Sequence, residues 1–177
     1  MQVNDGNGQR DSRHARIEMW IARYGDALLR SCYVWLKDAQ LAEDAMQDTF
    51  LKAWQAMERF EQRGPASEKA WLMRIAINTC RDYLRGGWFQ HVDRATPLEE
   101  LPQRLLGVTD EDRSTFLTIM DLPLKHRHII LLYYYHGLTL RECAEALRVH
   151  HTTARHRLHQ AEKALKAKLE GGIPCEA

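Results

Sequence analysis

Four histidines, His150, His151, His156 and His159, stand close together in "VHHTTARHRLHQ". Imidazole nitrogens at that density could ligate a metal, and His156 and His159, three positions apart, share one face of a helix. No cysteine or carboxylate nearby completes a ligand set, so neither a metal nor another cofactor is expected. The interleaved arginines point to different chemistry. From Arg141 to Leu169 seven Lys and Arg stand against three Glu, a local charge of +4 that favours contact with phosphates.

That stretch needs a scaffold, and the flanking residues supply one. Thr139 and Glu142 have the spacing of a capping box, in which each side chain satisfies a free N–H at a helix start. Gly137, just before, suits the end of the preceding helix. Leu140, Cys143, Ala144 and Leu147 then share one face, and after Arg148-Val149-His150 a second stripe runs Ala154, Leu158, Ala161 and Leu165. Two short amphipathic helices joined this way read as a helix-turn-helix over 139–163. With the second stripe packed inward, Thr152, Thr153, Arg155, His156, His159, Gln160 and Lys163 are left for a DNA groove. Protonated, the histidines would also add phosphate affinity.

A second basic surface lies upstream in "SEKAWLMRIAINTCRDYLRGG". Leu72, Ile75, Ala76, Thr79 and Tyr83 predict the packed side of a helix from about Ser67 to Leu84, ended by Gly86-Gly87. Arg74, Asn78, Arg81 and Arg85 recur along the other side, where arginines would hold phosphates while an asparagine meets a base edge. The preceding loop, "RFEQRGPAS", is broken at Gly64-Pro65 and supplies Phe60, an aromatic suited to an unstacked base. "DAQLAEDAMQDTFLKAW" has the opposite sign. Asp38 is its expected N-cap, Ala42, Met46, Phe50, Ala53 and Met57 its packed face, and Glu43, Asp44 and Asp48 should repel DNA and favour a basic protein partner.

The whole chain has 177 residues, 45% hydrophobic and 28% charged, with a net charge of +1 that averages over these opposed segments. The expected organisation is all-α: a disordered tail over 1–12, an N-terminal helical bundle over 13–87, a flexible linker over 88–112, a C-terminal helix-turn-helix domain over 113–170 and a tail over 171–177. The polar start "MQVNDGNGQRDSRH" lacks the apolar core of a signal peptide, and no apolar run is long enough to span a bilayer. Cys32, Cys80, Cys143 and Cys175 lack CxxC spacing and read as reduced thiols of a cytoplasmic protein.

Three collinear segments carry a family resemblance. "AEDAMQDTFLKAW" resembles the polymerase-docking segment of bacterial RNA polymerase sigma factors, "AWLMRIAINTCRDYLR" their −10 promoter helix, and the stretch from "LPLKHRHII" to "HQAEKAL" their −35 domain. The layout resembles the compact extracytoplasmic-function type. The resemblance implies that Asp44, Gln47, Asp48 and Phe50 dock on the clamp helices of the largest subunit of core RNA polymerase. It implies that Phe60 and the loop to Lys69 capture a flipped −10 base, beside Arg74, Asn78, Arg81 and Arg85. Thr152, Thr153, Arg155, His156, His159, Gln160 and Lys163 would read the −35 element of promoter DNA. Members of this family are often held inactive by an anti-sigma factor, so such a partner is also implied. The chain departs from the family where Arg148 replaces the usual turn glycine, where His150 replaces a Ser or Pro cap, and where Gln160 and Glu162 replace positions that are often basic. An unusual −35 sequence follows. The expected role is transcription initiation without catalysis by this chain. The rivals are a free-standing helix-turn-helix regulator, a histidine-based metal enzyme or sensor, and an adapter that docks on polymerase without reading DNA.

Overall fold

The computed structural model describes the backbone of residues 5–61, 68–86 and 110–171, with side chains over most of these spans. The described residues are helical, with no strand among them. The first block is α1 (Asp5–Leu36), α2 (Ala39–Glu61) and α3 (Glu68–Arg85). The second is α4 (Asp110–Met120), α5 (Leu124–Ile130) continued by a π-helical turn over Leu131–Tyr135, α6 (Leu140–Leu147) and α7 (His151–Gly171). Ser67, Gly64-Pro65, Gly87, most of the linker and Cys175 lie outside the described residues.

Residues 5 to 12, expected as tail, continue α1 instead. Once a packed helix is nucleated, each further residue adds a hydrogen bond at little cost, so the helix outruns its apolar stripe. That stripe buries Trp20, Tyr24 and Leu28, and the last turns then bury Cys32, Tyr33, Val34 and Leu36 together. Burial on all sides means that several elements surround this end of α1, and they do: α2 and α3 flank it, and the second block closes over it. Lys37 takes a left-handed φ of 56° to end α1. Asp38 then caps α2, its carboxylate accepting from the Leu41 N–H at 2.8 Å.

The helix-turn-helix forms as its sequence dictates. The Thr139 hydroxyl accepts from the Glu142 N–H at 3.3 Å, and Glu142 Oε2 accepts from the Thr139 N–H at 2.8 Å. Helix α6 ends at Arg148, left-handed at φ 54° and ψ 48°, while the Val149 N–H reaches back to the Ala144 oxygen at 3.0 Å. This Schellman-type close normally favours glycine. Cys143, Ala144 and Leu147 on α6 and Ala154, Leu158 and Ala161 on α7 are buried where the two helices cross.

In the π-helical turn the His136 N–H bonds to the Leu131 oxygen at 3.0 Å, one residue further back than in an α-helix. The wider turn keeps Leu131 and Leu132 inside, leaves Tyr134 and Tyr135 exposed, and places His136 in the interior at 2% exposure.

Candidate nucleic-acid interface

Helix α7 presents its polar side as its spacing requires. Thr152, Thr153, Arg155, His156, His159, Gln160 and Lys163 are all exposed, while Ala154, Leu158 and Ala161 are buried beneath them. His150 begins the helix in place of a hydroxyl cap. Its Nδ1 stands 2.9 Å from Thr152 Oγ1 and accepts from the Thr152 N–H at 3.4 Å. An imidazole thus satisfies one of the free donors at the helix start, a task sequence reasoning gives to Ser, Thr, Asp or Asn. Among the described residues no group of three His, Cys, Asp or Glu side chains is placed to hold a metal ion.

The arginine stripe on α3 is divided by its surroundings. Arg85 is exposed and Arg74 half-buried, but Arg81 reaches into the second block. Its Nη2 donates to the Leu147 oxygen at 2.8 Å and its Nη1 to the Ala146 oxygen at 3.5 Å, so it caps the free carbonyls at the end of α6. The guanidinium also lies 5.2 Å from the centre of the Trp35 ring. Burial, with the charges of Arg148 and Arg85 nearby, pulls its pKa below the ordinary arginine value. Asn78, one turn earlier, lies 3.4 Å from Arg81 Nη1. Lys69 is half-buried beside Arg23, and burial followed by that cation lowers its pKa.

Phe60 corrects an expectation. It is a core residue, 5% exposed, packed against Trp71 at 4.6 Å and edge-on to Trp20 at 6.2 Å between ring centroids. The aromatic cluster joins α1, α2 and α3. Phe50 is likewise buried, at 6%, so of the four expected docking residues it supports the surface from beneath. Gln47 is exposed, and Asp44 and Asp48 are partly so. Gln40 donates to Asp44 at 3.3 Å, and the Tyr83 hydroxyl donates to Asp48 at 2.9 Å. Beside them an open apolar groove of about 490 Å³ runs between α1 and α2, lined by Ile17, Ile21, Met46, Leu51 and Trp54.

Sequence reasoning missed the residues that join the two blocks. His128 stacks on Trp35, His136 meets Ser31, and Tyr33 approaches Phe116 at 6.3 Å. The two blocks on either side of the linker therefore pack against each other. A signal existed in "HRHIILLYYYH", where His128 and His136 fall on the inward side of an otherwise apolar run.

Comparisons with known proteins agree on one family. The model of Sigma-70 region 2 matches residues 20–90 and that of Sigma-70 region 4 matches residues 117–165. The RNA polymerase sigma-H factor of Pseudomonas aeruginosa is 28% identical over 176 residues, covering 92% of this chain and 90% of that protein. The ECF RNA polymerase sigma factor SigL of Mycobacterium tuberculosis is 33% identical over 143 residues, covering 75% of this chain and 77% of that one. Among solved structures, CnrH in complex with the cytosolic domain of CnrY matches with a TM-score of 0.63 at 28% identity, covering 90% of this chain and 91% of that one. The sigma factor RpoE in complex with the anti-sigma factor NepR from Bartonella quintana matches in fold with a TM-score of 0.70 at 22% identity, covering 88% of this chain and 98% of that one.

Proposed function

The chain belongs to the sigma-70 family of RNA polymerase sigma factors, in its extracytoplasmic-function type, and from that premise we propose how its surfaces divide between polymerase and promoter. As a sigma factor it directs promoter-specific, DNA-templated transcription initiation with core RNA polymerase. Asp44, Gln47 and Asp48 meet the clamp helices of the largest subunit, with Phe50 holding their helix in place from below. Arg74, Asn78, Arg81 and Arg85 face the −10 element, with Lys69 in the first turn of the same helix. Thr152, Thr153, Arg155, His156, His159, Gln160 and Lys163 enter the −35 major groove. The N-terminal block, 13–87, and the C-terminal block, 113–170, act as the two promoter-reading domains.

The observation that carries this reading is α7, whose seven expected DNA contacts are all exposed above a buried alanine and leucine seam. A helix so divided, with basic and amide groups toward its N-terminal half, has the layout of a major-groove reader. The acidic side of α2 opposes phosphate, so the free chain binds duplex DNA poorly, and docking on polymerase turns two weak DNA contacts into one strong one. Strand opening follows from selective binding of unstacked −10 bases. The polymerase performs the chemistry; this chain is not an enzyme and works in the cytoplasm. Among the described residues no helix is long and apolar enough to cross a membrane. An anti-sigma factor is its proposed inhibitor.

Run-off transcription with core polymerase on a randomised promoter library tests the assignment. Enrichment of paired −35 and −10 elements is expected. Enrichment of a palindromic site bound without polymerase would favour a free-standing regulator, and polymerase binding with no promoter preference would favour an adapter.

A further inference from the structure

Two histidines of the second block are buried against the first at the point where the −10 stripe is covered. His128 on α5 lies flat on Trp35 of α1, with ring centroids 3.7 Å apart, planes 12° from parallel and 5% exposure. His136, after the π-helical turn, has its Nε2 2.6 Å from Ser31 Oγ, also on α1. Arg81 continues the same contact, over Trp35 and into the carbonyls that end α6.

Neither histidine has a place for a second proton. His128 Nε2 and His136 Nδ1 are buried without a hydrogen-bond partner. Among the described residues, the charges that act on them are positive: Arg127 on α5, Arg81 on α3 and Arg157 on α7 around His128, and Lys69 on α3 and Arg30 on α1 around His136. A proton added at either ring would be an unpaired buried charge among cations.

We propose that the free protein closes on itself through His128 and His136, so that α6 covers Arg81, beside which Asn78 stands, and that protonation of the two histidines opens it. The device rests on the assignment of Arg81 and Asn78 to the −10 contact, and it regulates that site. Burial, then the neighbouring cations, hold both rings at about 3, against an ordinary value of 6.5 that they regain once the blocks part. The sign follows from proton linkage. Below pH 6.5 the open form takes up protons that the closed form refuses, so closure is fully stable above that pH and weakens as pH falls. Each histidine shifts the open-to-closed ratio about tenfold between pH 7.5 and 5.5, and the pair about 100-fold.

Small-angle scattering of the full-length chain at constant ionic strength, from pH 7.5 to 5.5, reads the opening directly as a rise in radius of gyration. His128→Phe with His136→Gln keeps the stacking on Trp35 and the bond to Ser31 but cannot be protonated, so this double variant should stay compact throughout. His136→Gln alone should show about a tenth of the wild-type shift in the ratio, and it decides the matter if the double variant loses its far-UV helicity. A wild-type chain that stays compact to pH 5.5, or a variant that opens as the wild type does, overturns the proposal. Scattering involves neither polymerase nor promoter, so such a result would leave the surface assignments standing. Failure of the promoter-library experiment would in turn leave the closure intact.

Discussion

The Tyr83 hydroxyl donates to Asp48 Oδ2 across 2.9 Å, tying the helix that carries the arginine stripe to the helix that carries the acidic residues proposed to dock on polymerase. Burial, then the bond to Asp48 and the charges of Asp48 and Asp44, push the Tyr83 pKa up to about 12 from an ordinary 10.0. The folded chain therefore keeps this proton where the unfolded chain has lost it. The resulting stability is complete below pH 10 and lost as pH rises through 12. In urea unfolding at a series of alkaline pH values, the wild type should lose stability over this window relative to Tyr83→Phe. Parallel curves for the two proteins would show that the bond does not couple to folding.

Asp48 serves this internal bond, whereas Asp44 is tied to its own helix by Gln40 at 3.3 Å. Charge reversal at Asp44 therefore tests docking with the least disturbance of the core. Asp44→Lys should weaken association with core polymerase about tenfold or more, since a like charge set against a basic partner repels it. Tyr83→Phe, which leaves both carboxylates in place, should not. Equal affinity for Asp44→Lys and wild type in a fluorescence titration would remove α2 from the docking surface.

Phe60 separates core from promoter contact. Truncation to alanine should cost about 3–5 kcal/mol, the usual range for a buried aromatic, and lower the melting temperature accordingly. Phe60→Leu roughly keeps the apolar filling between Trp20 and Trp71, and promoter opening measured by permanganate reactivity should survive it. Loss of opening in a well-folded Phe60→Leu protein would restore the ring to a base-capturing role.

What was legible in the sequence was what neighbours along the chain decide. The Asp38 cap, the Thr139–Glu142 box and the outward face of α7 depend on contacts within one or two turns, and all three stand as their spacing requires. The burial of Phe60 was not legible because it is set by Trp20 and Trp71 on two other helices. Arg81 shares the spacing of Arg74 and Arg85, yet the docking of α6 singles it out, and no periodicity on α3 can announce that. His128 and His136 could be seen as polar residues inside an apolar run, but their partners Trp35 and Ser31 come from the far side of the linker.

Arg148 holds a left-handed backbone at φ 54° that a side chain makes costly. Arg148→Gly should therefore stabilise the second block by up to about 1 kcal/mol more than Arg148→Ala, which keeps the Cβ. The charge matters separately, because Arg148 is among the cations that lower the pKa of Arg81. Either substitution should relieve that repulsion and favour the bond to Leu147, so only the glycine-specific part of the change in thermal stability reports the backbone. If alanine stabilises as much as glycine, charge rather than φ is the cause.

If the exposed face of α7 meets the promoter as proposed, it offers two kinds of contact that salt can tell apart. Lys163 is a point charge suited to a phosphate, while His159 and Gln160, exposed on the same helix, offer donors and acceptors to base edges. With holoenzyme bound to a fixed promoter, Lys163→Ala should weaken binding similarly on all −35 sequences and flatten the dependence of log K on log salt by about 0.9, one phosphate contact. His159→Ala and Gln160→Ala should leave that slope unchanged and relax the −35 preference, each by about 1–3 kcal/mol at the base it reads. A uniform loss from the His159 and Gln160 changes, with the salt slope reduced, would mean that the histidine-rich helix lies along the phosphate backbone instead of entering the groove.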